Sequence, residues 1–359
     1  MYDVIIVGGG VAGAYLAARL PDLNVLLIEK DKKGTLKDSG IVSKEFLDLF
    51  DENLIKSEIN RIEAFSPSGL SFTLHSREPF AYILKRETFG KYLRSMARKN
   101  AKIIYETVIG VDYFKDFVFV RTDKGTYESR MVVGADGANS IVRRSIGIES
   151  PMLSVGIMKK TRQKLQGNID VFFNKHFSPD FFSWIIPQSD EYGLITAKRP
   201  AECMKLFENR MYLPGGATYA HLIPTGYVRS YAHRTLLVGD AAGQNKPLTG
   251  GGIMFGLKAA HYAAATLLES RDCFCKIHLA EYEKLWKKDF AWEIDKQFLA
   301  RMFYSGLTNT QIDRIFKELG PEIEKLDGFD YDKFSGAWRK MPKIKMARLV
   351  LSLITDNLR

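Results

Sequence analysis

At the start of the chain, short runs of β-branched residues alternate with segments in which apolar residues recur at helical spacing. Val4–Val7 is an apolar run suited to a buried strand, and apolar residues recur at helical spacing through Ala12–Leu20. A second run, Val25–Ile28, follows, so residues 1–55 predict a β-α-β unit of a parallel sheet. Tyr82–Ala97 has the pattern of a strand that continues into an amphipathic helix.

The middle of the chain has the shorter, alternating pattern of an antiparallel sheet. Residues 56–79 alternate around a turn, and residues 151–227 hold further short strand-like runs. These runs are Asn168–Asn174, Phe181–Pro187 and Tyr192–Lys198. The parallel-sheet pattern returns at Arg234–Ala265, and Leu279–Arg359 is helical and rich in aromatic residues. We therefore expect an α/β fold with a β-rich insert and a C-terminal helical region.

The glycines after the first strand predict a dinucleotide site. Gly8 allows a tight turn, Gly10 lets backbone approach a pyrophosphate, and Gly13 lets the helix pack closely on the strand. The phosphates then lie at the positive end of that helix. Glu29 ends the second strand, where an acidic side chain can bind two ribose hydroxyls.

Two later segments have the same strand-and-glycine character. They are VVGADGANSIVRR at Val132–Arg144 and RTLLVGDAAGQNKPLTGGGIMFG at Arg234–Gly256. Together with the first segment they resemble the three FAD fingerprints of the flavoprotein superfamily that includes p-hydroxybenzoate hydroxylase. The resemblance implies a Rossmann-like FAD-binding domain, an antiparallel β-sheet substrate domain and non-covalent FAD. The expected cofactor-binding residues are Gly8, Gly10, Ala12, Gly13, Glu29, Lys30, Ser39, Gly40, Arg86, Val108, Asp136, Gly137, Gly239, Asp240, Pro247, Gly250, Gly251, Gly252 and Ile253.

The predicted FAD-binding domain is discontinuous. It takes residues 1–55, 80–150 and 228–285. Residues 56–79 and 151–227 form the β-rich substrate domain, and residues 286–359 form the C-terminal helical region.

A further resemblance concerns the β-rich insert. Phe182-Ser183-Trp184-Ile185-Ile186-Pro187, with Gly193 after it, resembles the Tyr-x-Trp-x-Phe-Pro motif of the geranylgeranyl reductases. Gly239–Ile253 and Glu281–Trp286 also resemble that family. The resemblance implies an FAD-dependent oxidoreductase that saturates C=C bonds in the prenyl chains of lipids, with hydride from reduced flavin. It implies substrate contacts at Phe182, Trp184 and Ile186, and a catalytic wall of Trp184 and Pro187.

One position departs from the family. Many geranylgeranyl reductases have a cysteine near the flavin after the first β-α-β unit, and here Asp38 stands in its place, followed by Ser39. Asp38 or Ser39 would supply a polar catalytic group at that point. An aspartate could relay a proton there if an apolar pocket raises its pKa; an exposed loop acid is the alternative.

Other flavoprotein classes remain open. An FAD-dependent monooxygenase or hydroxylase of an aromatic or apolar small molecule shares the fingerprints, as does a halogenase, for which Lys85 and Lys37 are candidate lysines. A lipid-binding flavoprotein without catalysis is a third class. For a reductase, electrons would come from NAD(P)H, ferredoxin or another reduced carrier. The aromatic residues expected to line a long apolar channel are Phe290, Trp292, Phe298, Phe303 and Tyr304.

Composition and charge restrict the partners and the cellular location that we expect. The net charge of +10 suggests an anionic partner, but the basic residues are dispersed and no nucleic-acid motif occurs, so we expect no nucleic acid as partner. The partner that the resemblance to the geranylgeranyl reductases implies is a prenylated lipid. No long apolar run occurs and the chain starts with a strand, which predicts a cytoplasmic protein. Lys343–Ile354 has an interfacial pattern, so peripheral contact with an anionic membrane is an alternative to packing on the body. Vesicle flotation with and without residues 343–359 separates the two.

The three cysteines fit a reducing compartment. Cys273 and Cys275 are closer together than in a usual zinc knuckle, no second Cys/His pair lies near them, and Cys203 is remote. We therefore expect no metal site.

Overall fold

A computed structural model describes residues 1–32, 38–326, 330–333, 336 and 339–356 of the chain. Lys37, one of the two candidate halogenase lysines, lies outside these residues. The strands are β1 (Tyr2–Val7), β2 (Val25–Glu29), β3 (Ile41–Ser43), β4 (Ile55–Ile59), β5 (Arg61–Phe65), β6 (Ser71–His75), β7 (Ala81–Leu84), β8 (Ala101–Tyr105), β9 (Val108–Tyr113), β10 (Val118–Thr122), β11 (Thr126–Gly134), β12 (Met152–Thr161), β13 (Ile169–Phe172), β14 (Ser183–Ile186), β15 (Glu191–Thr196), β16 (Gly216–Thr225), β17 (Tyr231–Ala232) and β18 (Thr235–Leu237). The α-helices are α1 (Val11–Ala17), α2 (Arg86–Ala97), α3 (Ile141–Ser145), α4 (Pro200–Met211), α5 (Ile253–Glu269), α6 (Lys276–Trp286), α7 (Trp292–Ser305), α8 (Asn309–Ile323) and α9 (Lys343–Asp356).

The first sheet is the parallel sheet that the sequence predicts. Its order is β17-β18-β11-β1-β2-β8; in addition, β10 pairs antiparallel with β11, and β9 pairs antiparallel with β10. The neighbours from β18 to β8 are parallel. Alternate residues of β1 are buried on opposite faces: Val4 and Ile6 pack with α1 and α5, whereas Ile5 and Val7 pack toward β10 and α3. Burial on both faces explains why β1 is a continuous apolar run.

The β-rich insert forms a seven-stranded sheet. Its order is β16-β12-β15-β14-β13-β5-β6, and its strands are antiparallel except for β13 and β5. One face packs against the three-stranded sheet β3-β7-β4 through Trp184, Ile186 and Ile83. The other face is covered by α4, whose Phe207 is fully buried against Tyr192 and Leu194. The insert therefore has its own core on each face.

The C-terminal helices pack on two parts of the structure, one at each of the larger sheets. α6 packs on α5 behind the parallel sheet, and α8 packs on β6 at the edge of the seven-stranded sheet. Leu349 and Met346 of α9 join the apolar cluster of α8, so the terminal helix packs on the body through these residues. Among the helices in the described ranges, none is both long and apolar enough to cross a bilayer.

The predicted fold class is confirmed, and most predicted strands are present within a few residues of their expected bounds. Elements additional to the prediction include β12, β16 and α4. Residues 56–79 divide between two sheets, since β4 pairs with β7 while β5 and β6 join the seven-stranded sheet. Pro187 follows the last residue of β14, and β14 lies inside the sheet between β13 and β15.

Candidate functional site

A cavity of about 690 Å³ lies where the parallel strands end. This volume is in the range of roughly 300–1,000 Å³ that ligand sites occupy. The glycine turns that follow β1, β11 and β18 all contribute to its walls. The predicted cofactor residues that line it are Gly8, Gly10, Ala12, Glu29, Lys30, Val108, Asp136, Gly137, Gly239, Asp240, Gly250, Gly252 and Ile253.

The first glycine turn is built by close backbone contact. Gly8 has a φ of +101°, and a Cβ there would lie 2.3 Å from the carbonyl oxygen of Ala135. A Cβ on Gly13 would lie 1.9 Å from the carbonyl oxygen of Gly8. A Cβ on Gly10, in contrast, would meet no atom within 4 Å. Gly8 and Gly13 are therefore required by the fold, whereas Gly10 borders open space at the start of α1.

Glu29 closes one end of this turn. Its carboxylate accepts hydrogen bonds from the backbone N–H of Gly9, at 2.6 Å, and of Asp31, at 2.7 Å. Beside it, Lys30 and Val108 line the cavity. An acceptor at the carboxyl end of β2 is where a ribose would be bound in a dinucleotide fold.

The second glycine segment is held by its own aspartate. Asp136 accepts from Ser140 Oγ at 2.6 Å and from the N–H of Ile141 at 2.7 Å, so it caps the start of α3. Burial raises the pKa of Asp136, while these hydrogen bonds act against the rise. Gly137 has a φ of +78°, and a Cβ there would meet no atom within 4 Å. Gly137 thus leaves backbone accessible beside the cavity.

A buried arginine joins the second and third segments, and the sequence analysis did not identify it. Arg143 is 1% exposed. Its guanidinium donates to the carbonyl oxygens of Ala241, at 2.9 Å, and Ala138, at 2.7 Å. The side chain therefore fixes the turn after β11 to the turn after β18.

The third segment is braced from behind by α6. Gln244 accepts from the N–H of Gly239 at 2.8 Å and donates to the Tyr282 hydroxyl, which in turn donates to the Leu237 carbonyl at 2.9 Å. Trp286 donates its indole N–H to Ser230 Oγ at 2.9 Å. Tyr282 and Trp286 belong to the Glu281–Trp286 motif, so that motif supports the glycine turn rather than lining the cavity.

The glycine-rich end of this segment meets the seven-stranded sheet. A Cβ on Gly250 would lie 2.8 Å from Ile195 Cδ1 and 3.3 Å from Ile223 Cδ1. Gly251 packs against the stem of Lys246, whose ammonium forms a buried ion pair of 2.7 Å with Asp332. α5 begins at Ile253 directly after these glycines, so its positive end faces this side of the cavity.

Asp38 and Asp240 bring two acidic groups to the same wall. Both line the cavity, and Asp38 also accepts from the N–H of Gly40 at 2.8 Å. Burial raises the pKa of Asp38 against the opposing effect of Arg86. Burial, and secondarily the charge of Asp38, raises the pKa of Asp240 to about 6. Asp38 is therefore not an exposed loop acid, and Ser39 and Gly40 connect it to β3.

Arg86 lies at the first position of α2 and pairs with a glutamate of the insert. Its guanidinium donates to the Asp38 carbonyl oxygen and forms a 2.5 Å ion pair with Glu191. Glu191 is fully buried, and burial raises its pKa to about 7 although Arg86 acts to lower it. Gly40 packs on the Arg86 side chain. Arg86 connects the Asp38 turn to β15, an arrangement that the spacing of these residues did not indicate.

Trp184 occupies a pocket made by a glycine. Trp184 pairs with Gly193 across β14 and β15, and a Cβ on Gly193 would lie 2.6 Å from the indole Cζ2. The indole shares an apolar cluster with Ile195 and Ile223, and Ile223 lines the cavity. Phe182 packs edge-on against Trp184 with ring centroids 6.0 Å apart. The Phe182–Pro187 motif and Gly193 are therefore parts of one apolar wall.

Several predicted residues lie outside the lining of this cavity. Within the described chain, Gly13, Ser39, Gly40, Arg86, Phe182, Trp184, Ile186, Pro187, Pro247 and Gly251 are not among its lining residues. The aromatic helical residues do not converge on it either, because Phe290 packs with Phe255 and Trp286, while Trp292 and Phe303 are exposed. Lining residues that the sequence analysis missed include Arg94, Glu106, Arg144 and His221.

A second, smaller cavity of about 240 Å³ adjoins Arg86 and Met158. Four basic side chains line it: Lys56, Lys85, Arg86 and Lys160. Its lining also includes Ser189, Tyr219 and Glu87. Burial, and secondarily the charge of Lys160, lowers the pKa of Lys56. The arrangement is suited to an anion.

No protein-family model matches the chain. It is 28% identical over 354 residues to digeranylgeranylglycerophospholipid reductase 2 of Methanothermobacter thermautotrophicus, covering 89% of this chain and 91% of that protein. The fold matches a geranylgeranyl bacteriochlorophyll reductase-like protein from Thermoplasma acidophilum with a TM-score of 0.85, 21% identity and coverage of 99% and 98% of the two chains. The resemblance to the geranylgeranyl reductases is confirmed.

A more distant structural match is the halogenase PltM, solved in complex with FAD. Its TM-score is 0.65, with 13% identity and coverage of 90% of this chain and 82% of that one. At this identity the match concerns the fold alone. The chain therefore shares its fold with a protein that was solved with FAD bound.

The glycine contacts predict two different mutant behaviours. Gly13→Ala introduces a methyl group against the Gly8 carbonyl, so we expect a loss of about 3 kcal/mol in the free energy of unfolding. Gly10→Val points into open space and should leave the stability of the cofactor-free protein unchanged while blocking FAD. Urea unfolding and fluorescence-monitored FAD uptake measure the two effects. A Gly10→Val protein that takes up FAD like the wild type contradicts the placement of the ligand.

The raised pKa of Glu191 predicts a pH-dependent stability. Between pH 4.5 and about 7 the folded protein keeps a proton on Glu191 that the unfolded chain has released. Stability from this group is thus complete below pH 4.5 and is lost as the pH rises to about 7, by roughly 3 kcal/mol in total. Glu191→Gln should remove this part of the pH dependence, measured by urea unfolding across the range. The exposed Glu58→Gln is the control, and equal slopes in both variants would show that Glu191 is not responsible.

Proposed function

We propose that this chain is an FAD-dependent reductase that saturates isolated C=C bonds in the prenyl chains of glycerophospholipids. The observation that carries the proposal is the position of the apolar wall. Gly250 lies against Ile195 and Ile223, which pack with Trp184, so hydrocarbon surface adjoins the third glycine turn. The name of the M. thermautotrophicus relative specifies a digeranylgeranyl glycerophospholipid as its substrate.

The residues present fit FAD. The open space beside Gly10 and Gly137 leaves backbone N–H groups accessible to a pyrophosphate, and Glu29 is placed for a ribose. Gly250, Gly252 and the start of α5 would hold the flavin end. When bound, FAD supplies the hydride that an unactivated alkene requires. The electrons would come from an external donor, NAD(P)H or a reduced carrier such as ferredoxin.

Residues of the chain itself would exclude water from the reacting bond and would supply a proton. The wall around Trp184 is apolar and buried, which suits an alkene and keeps water from the reacting bond. Asp38 lines the cavity, and its raised pKa lets it hold a proton to a higher pH than an exposed aspartate. Asp38 is thus the proposed proton source in place of the family cysteine, and Ser39 beside it is a further polar group.

The small basic cavity is the proposed site of the lipid phosphate. Lys56 and Lys160 form no ion pair with another residue of the described chain, while Arg86 is paired with Glu191. Met158 belongs both to this cavity and to the apolar cluster of Trp184. A phosphate held by Lys56 and Lys160 would therefore leave its hydrocarbon chains next to the apolar wall.

Peripheral contact with an anionic bilayer stays a prediction. In addition to α9, the exposed side chains of Trp292, Leu299 and Phe303 lie along one face of α7, and Lys296 stacks on Trp292 at 3.6 Å. An apolar stripe with an adjacent cation is typical of interfacial helices. The vesicle flotation experiment extends to Leu299→Glu, which should weaken binding if this face contacts lipid.

Lipid reduction is the direct test. Dithionite-reduced protein, kept anaerobic with a digeranylgeranyl glycerophospholipid, should add the mass of two hydrogens for each bond saturated, while its flavin is reoxidised. Trp184→Ala should slow the reaction by roughly tenfold or change the number of bonds reduced, with FAD still bound. Mass spectrometry of the lipid measures both. An unchanged lipid together with oxygen-dependent hydroxylation of an aromatic compound would instead identify a monooxygenase.

Head-group recognition is a separate prediction. The double variant Lys56→Gln/Lys160→Gln should raise KM for the phospholipid about tenfold, because two ammonium–phosphate contacts are lost. The kcat, and the KM for an uncharged prenyl alcohol, should stay unchanged. The matched control is Lys91→Gln/Lys205→Gln, which alters two exposed helical lysines. Equal KM changes for charged and uncharged substrates would contradict the assignment.

A further inference from the structure

Three metal-ligating side chains meet at the connection between α5 and α6, away from the flavin cavity. They are Cys273, Cys275 and His278, and their ligand atoms all lie within 4.8 Å of one another. The Cys273 sulfur is 3.7 Å from His278 Nδ1. None of the three lines either cavity described above.

A buried phenylalanine fixes this geometry. Phe274 is fully buried, and the guanidinium of Arg130 lies 4.6 Å from its ring centroid. Its φ of +47° is in the left-handed region, which side-chain-bearing residues seldom adopt. The N–H groups of Cys273 and Phe274 both donate to the Ser270 carbonyl oxygen. The tight turn at Phe274 points the ring inward and leaves Cys273 exposed and Cys275 partly exposed.

The start of α6 brings the histidine to the thiols. Cys275 is the N-cap residue of α6, and His278 is its third helical residue. Side chains at these two positions face each other at a helix start, as they do in a capping box. The N–H of Cys275 also donates to the Cys273 sulfur at 3.1 Å. All three side chains therefore belong to one short, backbone-defined unit.

The spacing matches a tetrahedral thiolate–imidazole site. Zinc binds sulfur at about 2.3 Å and nitrogen at about 2.05 Å, so a tetrahedral angle separates the two ligand atoms by about 3.6 Å. The observed sulfur–nitrogen separation is 3.7 Å. The Cys273–His278 pair therefore already has the separation of two ligands of one ion, and the Cys275 sulfur lies within 4.8 Å of both.

We propose that Cys273, Cys275 and His278 bind one thiophilic metal ion of the Zn²⁺ type, with a solvent molecule in the fourth position. Binding displaces the two thiol protons to solvent and changes no oxidation state. The ion would fasten the α5–α6 connection to α6, the helix whose Tyr282 and Trp286 support the third glycine segment. This site is independent of the flavin chemistry proposed above.

The experiment uses the full chain, freed of metal with a chelator and kept reduced. Calorimetry with Zn²⁺ should give one equivalent bound, and Co²⁺ should give a thiolate-to-cobalt charge-transfer band. Cys273→Ser, Cys275→Ser and His278→Ala should each weaken Zn²⁺ binding by about a hundredfold. Cys203→Ser, at a buried thiol elsewhere, is the matched control and should bind like the wild type.

Three results would overturn the site. One is Zn²⁺ binding by Cys273→Ser or His278→Ala at wild-type strength, and another is a cobalt complex without a thiolate band. The third is a Cys273–Cys275 disulfide in protein isolated without added oxidant, because neither sulfur would then be a thiolate ligand. Circular dichroism of each variant verifies that the fold is retained. We expect it to be retained because the substituted side chains face solvent.

Discussion

The close approach of backbone at Gly8, Gly13 and Ala135 is the contact on which the rest of the structure depends. A methyl group at Gly8 would overlap the carbonyl oxygen of Ala135 in the neighbouring turn, and one at Gly13 would overlap the carbonyl oxygen of Gly8. Because β1 and β11 are adjacent and parallel, this approach joins the two glycine segments at one edge of the sheet. It also directs the N-terminus of α1 toward the space beside Gly10, where phosphate would lie.

The third glycine segment reaches the same edge because β18 is parallel to β11, and side chains then hold its turn in place. Arg143 donates to the carbonyl oxygens of Ala138 in the second segment and Ala241 in the third. The hydrogen bond between Gln244 and Tyr282 supports the turn after β18 from behind. These groups are buried, so their hydrogen bonds must be satisfied within the protein. The glycine turns thus present backbone to the cavity, and buried polar side chains support these turns from behind.

Local patterns in the sequence predict the parallel sheet and most of its glycine turns. β1, β2 and the strand before Gly239 are apolar runs followed by glycine or an acid, and such signals need no knowledge of distant residues. β12 and β16 were missed, since Lys159 and Lys160 interrupt one and much of the other is exposed small or polar residues. Each is defined by pairing with the other, which a single-strand pattern does not reveal. Contacts between remote positions were missed for the same reason: Arg86 and Glu191 are 105 residues apart.

The proposed use of Asp38 as the proton source, in place of a cysteine thiol, makes the chemistry depend on the acidity of this carboxyl group. A thiol can stay protonated at neutral pH without help, whereas an aspartate needs its pKa raised. Burial raises the pKa of Asp38, and Arg86 limits that rise by its charge. However, Arg86 is itself neutralised by Glu191, whose own pKa is raised to about 7. Protonation of Glu191 would leave the Arg86 charge uncompensated and favour ionised Asp38, so the insert strand β15 can influence the acidity of a group in the large cavity.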